Sequence, residues 1–334
     1  MKIVFFGTPD YVLPILEALH RSFKNPKIES GVVAVVTQPP KPTGRKQKLE
    51  YSPVDSWAYK KNIPIFHKAD DFIKSEIKGD VGILASYGEI ISKFVISHLK
   101  FGILNIHPSL LPNWRGASPL QASIISGDEI TGVTIIKLDE RLDHGPIISK
   151  YKEKILDTDT TESLRNRLFQ RSADVIASLL PAYIKGKIKS REQEHKSATF
   201  TRQIKKDDAF IDPSALSAVI NGKSVKKKWD ISFIRDLSFY HSPFTIHRFI
   251  RAMQPWPISW TYVQLNSKLK APRPRQAKRG GQSSKRLKIL KAHLEEKSNV
   301  KGQMSLVLDE VQLEGKNPVP YKQFKEAYKT AIFE

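Results

Sequence analysis

Three residue types suited together to proton transfer and oxyanion stabilisation fall within forty positions of one another. The segment Gly102-Ile-Leu-Asn-Ile-His-Pro-Ser-Leu-Leu-Pro-Asn-Trp-Arg-Gly116 carries Asn105 and His107, and Leu142-Asp-His-Gly145 adds Asp143. Asn105 and His107 are two residues apart, so on a strand their side chains share a face. A lone histidine is more often a bonded core residue, and an Asp near Gly is commonly a turn cap. Here the imidazole stands at a strand end, beside an amide, before a turn held between Pro108 and Pro112. An amide, an imidazole and a carboxylate form a set able to move a proton and to stabilise an oxyanion. His144 reads as a loop residue pointing elsewhere.

The elements that must position this set follow from apolar runs. Ile3–Phe6, Val32–Val36, Val81–Ala85, Ile103–Ile106 and Val133–Ile136 read as buried strands. Gly7-Thr-Pro-Asp10 turns into a helix with Val12, Leu13, Ile15, Leu16 and Leu19 apolar. This β-α-β rhythm predicts an α/β fold with a Rossmann-like, doubly wound, mainly parallel sheet. Ligands of such sheets bind beyond the carboxyl ends of strands, where Asn105, His107 and the turn 109–112 lie. The GxGxxG fingerprint is missing, so a dinucleotide site is not expected.

Composition removes whole classes of function. There is no cysteine, so disulfides, thiolate metal sites and a cysteine nucleophile are excluded. The nine histidines show no ligand spacing near carboxylates, and no metal is expected. No apolar run reaches the roughly 20 residues of a membrane span. Met1-Lys2 leads directly into an apolar run, so no targeting segment and a cytoplasmic setting are expected.

A length of 334 residues predicts two domains. Thr161–Pro181 reads as an amphipathic helix with Leu164, Leu168, Val175, Ile176, Leu179 and Leu180 apolar. Residues 1–190 are expected to form the catalytic domain, 191–207 a linker and 208–334 a second domain. In the latter, a short helix over Ile246–Met253 precedes strands at Ser259–Leu265, Leu287–His293 and Met304–Val311, a spacing that fits a small β-barrel or sandwich. The net charge is +21. From Lys205 onward there are 25 Lys and Arg against 12 Asp and Glu; the longer first part has 30 against 22. A small β-domain with that excess suits a nucleic-acid backbone. The segment Lys268–Lys288 reads as a basic loop, and its Gly280-Gly281 pair is no phosphate loop. Thr37-Gln-Pro-Pro-Lys-Pro-Thr-Gly-Arg-Lys-Gln-Lys48 is either a solvated connector or an exposed arm that meets phosphates, with Arg45 the best candidate.

Phe6-Gly-Thr-Pro-Asp10, Thr37-Gln-Pro-Pro, Ala85-Ser-Tyr-Gly88, the Asn105–Gly116 stretch, Thr131-Gly-Val-Thr134 and Asp139–Gly145 together resemble the methionyl-tRNA formyltransferase family. The resemblance covers nearly the whole chain. The Asn-x-His, Ser-Leu-Leu-Pro and Asp-x-Gly pattern is shared with other folate-dependent formyltransferases. The Thr-Gln-Pro loop and Arg248-x-x-Arg-Ala-Met-Gln-Pro-Trp-Pro257 point to the tRNA-modifying branch. The resemblance implies formyl transfer from 10-formyltetrahydrofolate to the α-amino group of methionyl initiator tRNA by a monomer. It implies Asn105, His107 and Asp143 as the catalytic set. Ser109, Leu110, Leu111 and Pro112 would line the folate site, with a cis Leu111–Pro112 bond, and Tyr87, Gly88 and Ile90 would close around the pteridine. Arg45, Lys46 and Lys48 would contact tRNA, and an OB-like barrel would hold the acceptor stem. Three departures stand out: a long 208–245 segment, Pro213 in place of a Trp, and an unusually basic 268–288 loop. The alternatives are a formyltransferase acting on a small amine and an RNA-binding protein without catalysis.

Overall fold

A computed structural model describes residues 1–25, 30–44, 47–265, 284–297, 300–329 and 331–333. Arg45, Lys46 and the Gly280-Gly281 pair lie outside them, as does 268–283 of the expected basic loop. The chain divides into two compact units. The first comprises 1–119, 129–155 and 163–200, and the second 120–128, 156–162 and 201–334.

The first unit is built on seven strands: β1 (Lys2–Gly7), β2 (Gly31–Val36), β3 (Ile65–Phe66), β4 (Val81–Ala85), β5 (Ile103–His107), β6 (Ile130–Lys137) and β7 (Ile147–Lys154). Their order is β7-β6-β5-β4-β1-β2-β3. From β5 to β3 the pairings are parallel. These strands are continuous apolar runs because helices cover both faces of a parallel sheet. Val4, Phe6, Ala34, Val36, Tyr87 and Ile103 share one buried cluster on a face of it.

The other end of the sheet departs from the simple rhythm. β6, read as a further strand of a mainly parallel sheet, runs antiparallel to β5, and β7 runs antiparallel to β6. β7 was not expected as a strand. Beyond its first two residues it alternates partly buried and exposed positions, as an edge strand half in solvent does. Helix α1 (Leu13–Phe23) packs Ile15, Leu16 and Leu19 inward. Helix α2 (Thr161–Ile184) buries Leu164, Leu168, Ile176 and Leu180, an i, i+4 stripe interrupted only by Ser172. Ser172 is also buried and is bonded to Leu168 O and Tyr151 Oη.

The second unit carries helices α3 (Pro213–Ile220) and α4 (Pro243–Ala252) and a hairpin of β8 (Val225–Asp230) with β9 (Ser238–His241). It also holds an antiparallel sheet of β10 (Trp260–Gln264), β11 (Ser284–Glu296), β12 (Met304–Leu313) and β13 (Val319–Pro320), in that order. Leu287, Ile289, Leu306, Leu308 and Val311 of this sheet are buried, as are Ile246, Phe249 and Ile250 of α4. The long 208–245 segment is thus a helix and a hairpin. Pro213 occupies the first turn of α3, where its missing N–H costs nothing, and Asp212 caps the helix by accepting from Ala215 N. No helix among the described residues is long and apolar enough to cross a membrane.

Candidate active site

β5 delivers the two polar side chains to the carboxyl edge of the sheet, and all five of its residues are buried. Asn105, His107 and Asp143 keep only 6 %, 5 % and 8 % of their surface. Buried polar groups are costly unless bonded, and these bond to one another. Asn105 Nδ2 donates to Asp143 Oδ1 at 3.2 Å, and His107 Nδ1 lies 3.5 Å from the same oxygen. Asp143 Oδ2 accepts from Gly116 N at 2.7 Å. His107 Nε2 lies 3.1 Å from Trp114 O. A carbonyl only accepts, so that nitrogen carries the hydrogen.

The turn after β5 is pinned from the neighbouring strand. Thr134 of β6 donates its hydroxyl to Ser109 O at 2.7 Å and accepts from Leu111 N at 3.0 Å. The Leu111–Pro112 bond is cis. Ser109 Oγ donates to Asn113 O, and the Leu111 side chain packs with Ile136 and Ile147. Ser109 and Leu111 therefore build the turn with their side chains, while Leu110 and Pro112 stay partly exposed. Tyr87 is likewise a core side chain, edge-on to Phe6, with burial and the neighbouring Glu89 raising its phenol pKa. Gly88 and Ile90 are exposed, Ile90 at 94 %. Lys48 is exposed in a small hairpin with 41–43.

The loop carrying Asp143 is closely held. Asp143 has φ of +46°, in the left-handed region. A Cβ on Gly145 would stand 1.8 Å from Lys137 O, so only glycine fits there. Gln193 donates from Nε2 to Asp143 O at 2.9 Å and to Gly145 O at 2.8 Å. Arg115 donates to Gln193 Oε1 from Nη2 at 2.7 Å and from Nε at 3.3 Å. His144 turns to Asp139 and stacks on His195 at 3.8 Å. Residues 191–200, expected to be linker, therefore belong to the first unit, and Arg191 pairs with Ile147. Their polar character does not signal this, because it serves buried bonds as well as solvent. Arg115 stood inside a recognisable motif; a single Gln in a charged stretch carried no signal.

The formyl transferase family matches residues 1–184, and the formyl transferase C-terminal domain matches 235–329. The methionyl-tRNA formyltransferase of Buchnera aphidicola subsp. Schizaphis graminum is 36 % identical over 269 residues, 79 % of this chain and 76 % of that protein. That of Thermotoga maritima is 40 % identical over 235 residues, 68 % and 71 % of the two chains. The chain belongs to the methionyl-tRNA formyltransferase family. Among solved structures, the N-formyltransferase of Helicobacter canadensis, in complex with folinic acid and dTDP-3-aminofucose, shares the fold. Its TM-score is 0.58 at 17 % identity, over 92 % of this chain and 98 % of that one. The methionyl-tRNA formyltransferase of Clostridium thermocellum is similar at a TM-score of 0.50 and 17 % identity, over 94 % and 98 %. In this member of the family, the first unit carries two clefts. One, of about 240 Å³, is lined by residues including Thr8, Pro9, Gln38 and Tyr51. The other, of about 490 Å³, lies among Lys93, Ser97, Asp139 and Arg141.

Proposed function

We propose that this formyltransferase moves the formyl group of 10-formyltetrahydrofolate onto the α-amino group of methionyl initiator tRNA, as a cytoplasmic monomer. The observation that carries the reading is the convergence of Asn105 and His107 on Asp143 at the end of β5. Gly88 and Ile90 leave exposed backbone and an exposed apolar side chain at the same sheet edge, a surface suited to a planar heterocycle. The first unit would hold the donor and the reacting amine. The second, with its excess of Lys and Arg, would hold the tRNA.

A formamide carbonyl is a weak electrophile. Attack by the neutral amine forms the new C–N bond and pushes the carbonyl electron pair onto oxygen. Asn105 uses one amide N–H on Asp143 and has a second to donate to that oxygen. His107 can join it by exchanging its bond to Trp114 O for the oxyanion; catalytic bonds commonly form fully only with substrate bound. Asp143 takes the proton lost by the attacking nitrogen. Collapse breaks the bond to N10 of the folate, which takes up the proton that Asp143 accepted from the amine. The test is transfer of labelled formyl to methionyl initiator tRNA, with elongator methionyl-tRNA, a nucleotide-linked amino sugar and glycinamide ribonucleotide as comparators. Faster formylation of either small amine than of the initiator tRNA would overturn the acceptor assignment.

A further inference from the structure

We propose that Gln193 and Arg115 form a positioning pair that fixes the backbone of Asp143 and so aims its carboxylate. The inference rests on the catalytic reading of Asp143 given above. A left-handed backbone at a residue other than glycine is unfavourable and persists only when its surroundings hold it. The holding group at Asp143 is the Gln193 amide. Its two N–H bonds reach Asp143 O and Gly145 O, bridging the loop on both sides of His144. Its oxygen takes two bonds from the Arg115 guanidinium. All four hydrogen-bonding positions of the amide are thus in use.

Both side chains are deeply buried, Arg115 at 4 % exposure and Gln193 at 5 %. Arg115 Nη2 also lies 2.8 Å from His195 Nδ1, and its backbone N donates to Thr199 O at 2.9 Å. That backbone bond draws the 193–200 segment onto residue 115. The next residue, Gly116, donates directly to Asp143 Oδ2. Two consecutive residues therefore grip Asp143 at both ends, one through Gln193 on the main chain and one on the carboxylate. An isosteric apolar pair would pack in this space without burying a guanidinium, which is costly to desolvate. The polar arrangement is explained by what it orients. A misplacement of about 1 Å at a reacting group can cost about 10²-fold in rate.

The test is a double-mutant cycle on the full chain, read as kcat and as KM for the folate donor. Gln193→Leu is expected to lower kcat about 10- to 100-fold with the donor KM changed less than about threefold. In an Asp143→Asn background the same change should cost less than about threefold, because the group it orients has lost its charge. Equal fold-losses in both backgrounds would overturn the proposal and leave Gln193 a purely structural residue. Wild-type turnover in Asp143→Asn alone would instead remove the catalytic reading of Asp143, and the positioning role with it. If Gln193→Leu does not melt cooperatively, Arg115→Lys, which keeps the charge but not the two-nitrogen fork, enters the same cycle with the same expectations.

Discussion

Polar chemistry is handled in opposite ways in the two units. At the carboxyl edge of β5, Asn105, His107, Asp143, Arg115 and Gln193 are buried and bonded to one another. In the second unit many cations stand in solvent: Lys226, Lys227 and Lys228 of β8 are all exposed, as are Lys285, Lys301 and Lys322. A buried network concentrates its effect in a few side chains, each placed by several others. An exposed array spreads its effect over many, each screened by salt. Single substitutions should therefore be drastic at the first and slight at the second.

The largest effect should come from the catalytic set. His107→Ala removes an oxyanion donor and the partner of Asp143, and turnover should fall about 10²–10⁴-fold with donor binding nearly unchanged. Asp143→Asn, nearly isosteric, should fall in the same range. Steady-state formylation kinetics check both; turnover within about threefold of wild type for either would place the chemistry elsewhere.

A smaller but still sharp effect is expected at Gly145. A methyl group there meets the Lys137 carbonyl, a backbone atom that cannot swing aside. Gly145→Ala should destabilise the first unit by about 1–3 kcal/mol and displace Asp143, two residues away. Chemical denaturation measures the first consequence and kcat the second. Unchanged values for both would mean that the loop 139–145 adapts freely, and the contrast between the two regions would lose its basis.

The same contrast governs what could be read in the sequence. β1, β2, β4 and β5 were legible because strands buried on both faces are unbroken apolar runs. The antiparallel edge was not, because the Lys-rich alternation of β7 looks like a solvated segment until β6 is beside it. Asn105 and His107 stood out as polar residues ending an apolar strand. Asp143 was legible as the carboxylate that completes the amide–imidazole set, although an Asp near Gly is also an ordinary turn. Gln193 meets Asp143 across 50 positions of chain, and nothing in its neighbours announces that. For the second unit, charge counting gave the basic character, and strand spacing gave a small β-barrel or sandwich. Which strands pair depends on long-range contacts, and among the described residues four pair in a row.

On the exposed side, Lys226, Lys227 and Lys228 offer the direct comparison. Each alone, changed to Ala, should lower tRNA affinity only a few-fold at moderate salt. All three together should flatten the dependence of log Kd on log salt by about 2–3, if each neutralises one phosphate. The formylation kcat at saturating tRNA should stay within about twofold of wild type. Titrations across a salt series decide it. A single substitution that abolished binding would mean that this unit also concentrates its effect in one residue.

The smallest effect should come from a second-unit cluster that resembles the catalytic edge in form. Asp208 accepts from both Arg202 Nη atoms at 2.7 Å, from Ser232 Oγ and from Lys205 N. Burial alone would raise its carboxyl pKa, but those hydrogen bonds and the Arg202 charge outweigh it, bringing the value down to about 2 from an ordinary 3.8. A carboxylate with a depressed folded-state pKa adds stability that is present above the unfolded value and lost as pH falls through the folded one. Asp208 should thus support the fold fully at pH 7 and progressively less from about pH 4 to pH 2. Arg202 keeps 42 % of its side-chain surface, so water and salt weaken the pair. Asp208→Asn should then cost only about 1 kcal/mol at neutral pH, with turnover unchanged. Denaturation midpoints of wild type and variant, measured at intervals from pH 7 to pH 2, should converge in acid. A gap that stayed constant over that range would mean that Asp208 acts through packing rather than charge. It would also show that a bonded polar cluster alone does not give a site the sensitivity expected at Asp143.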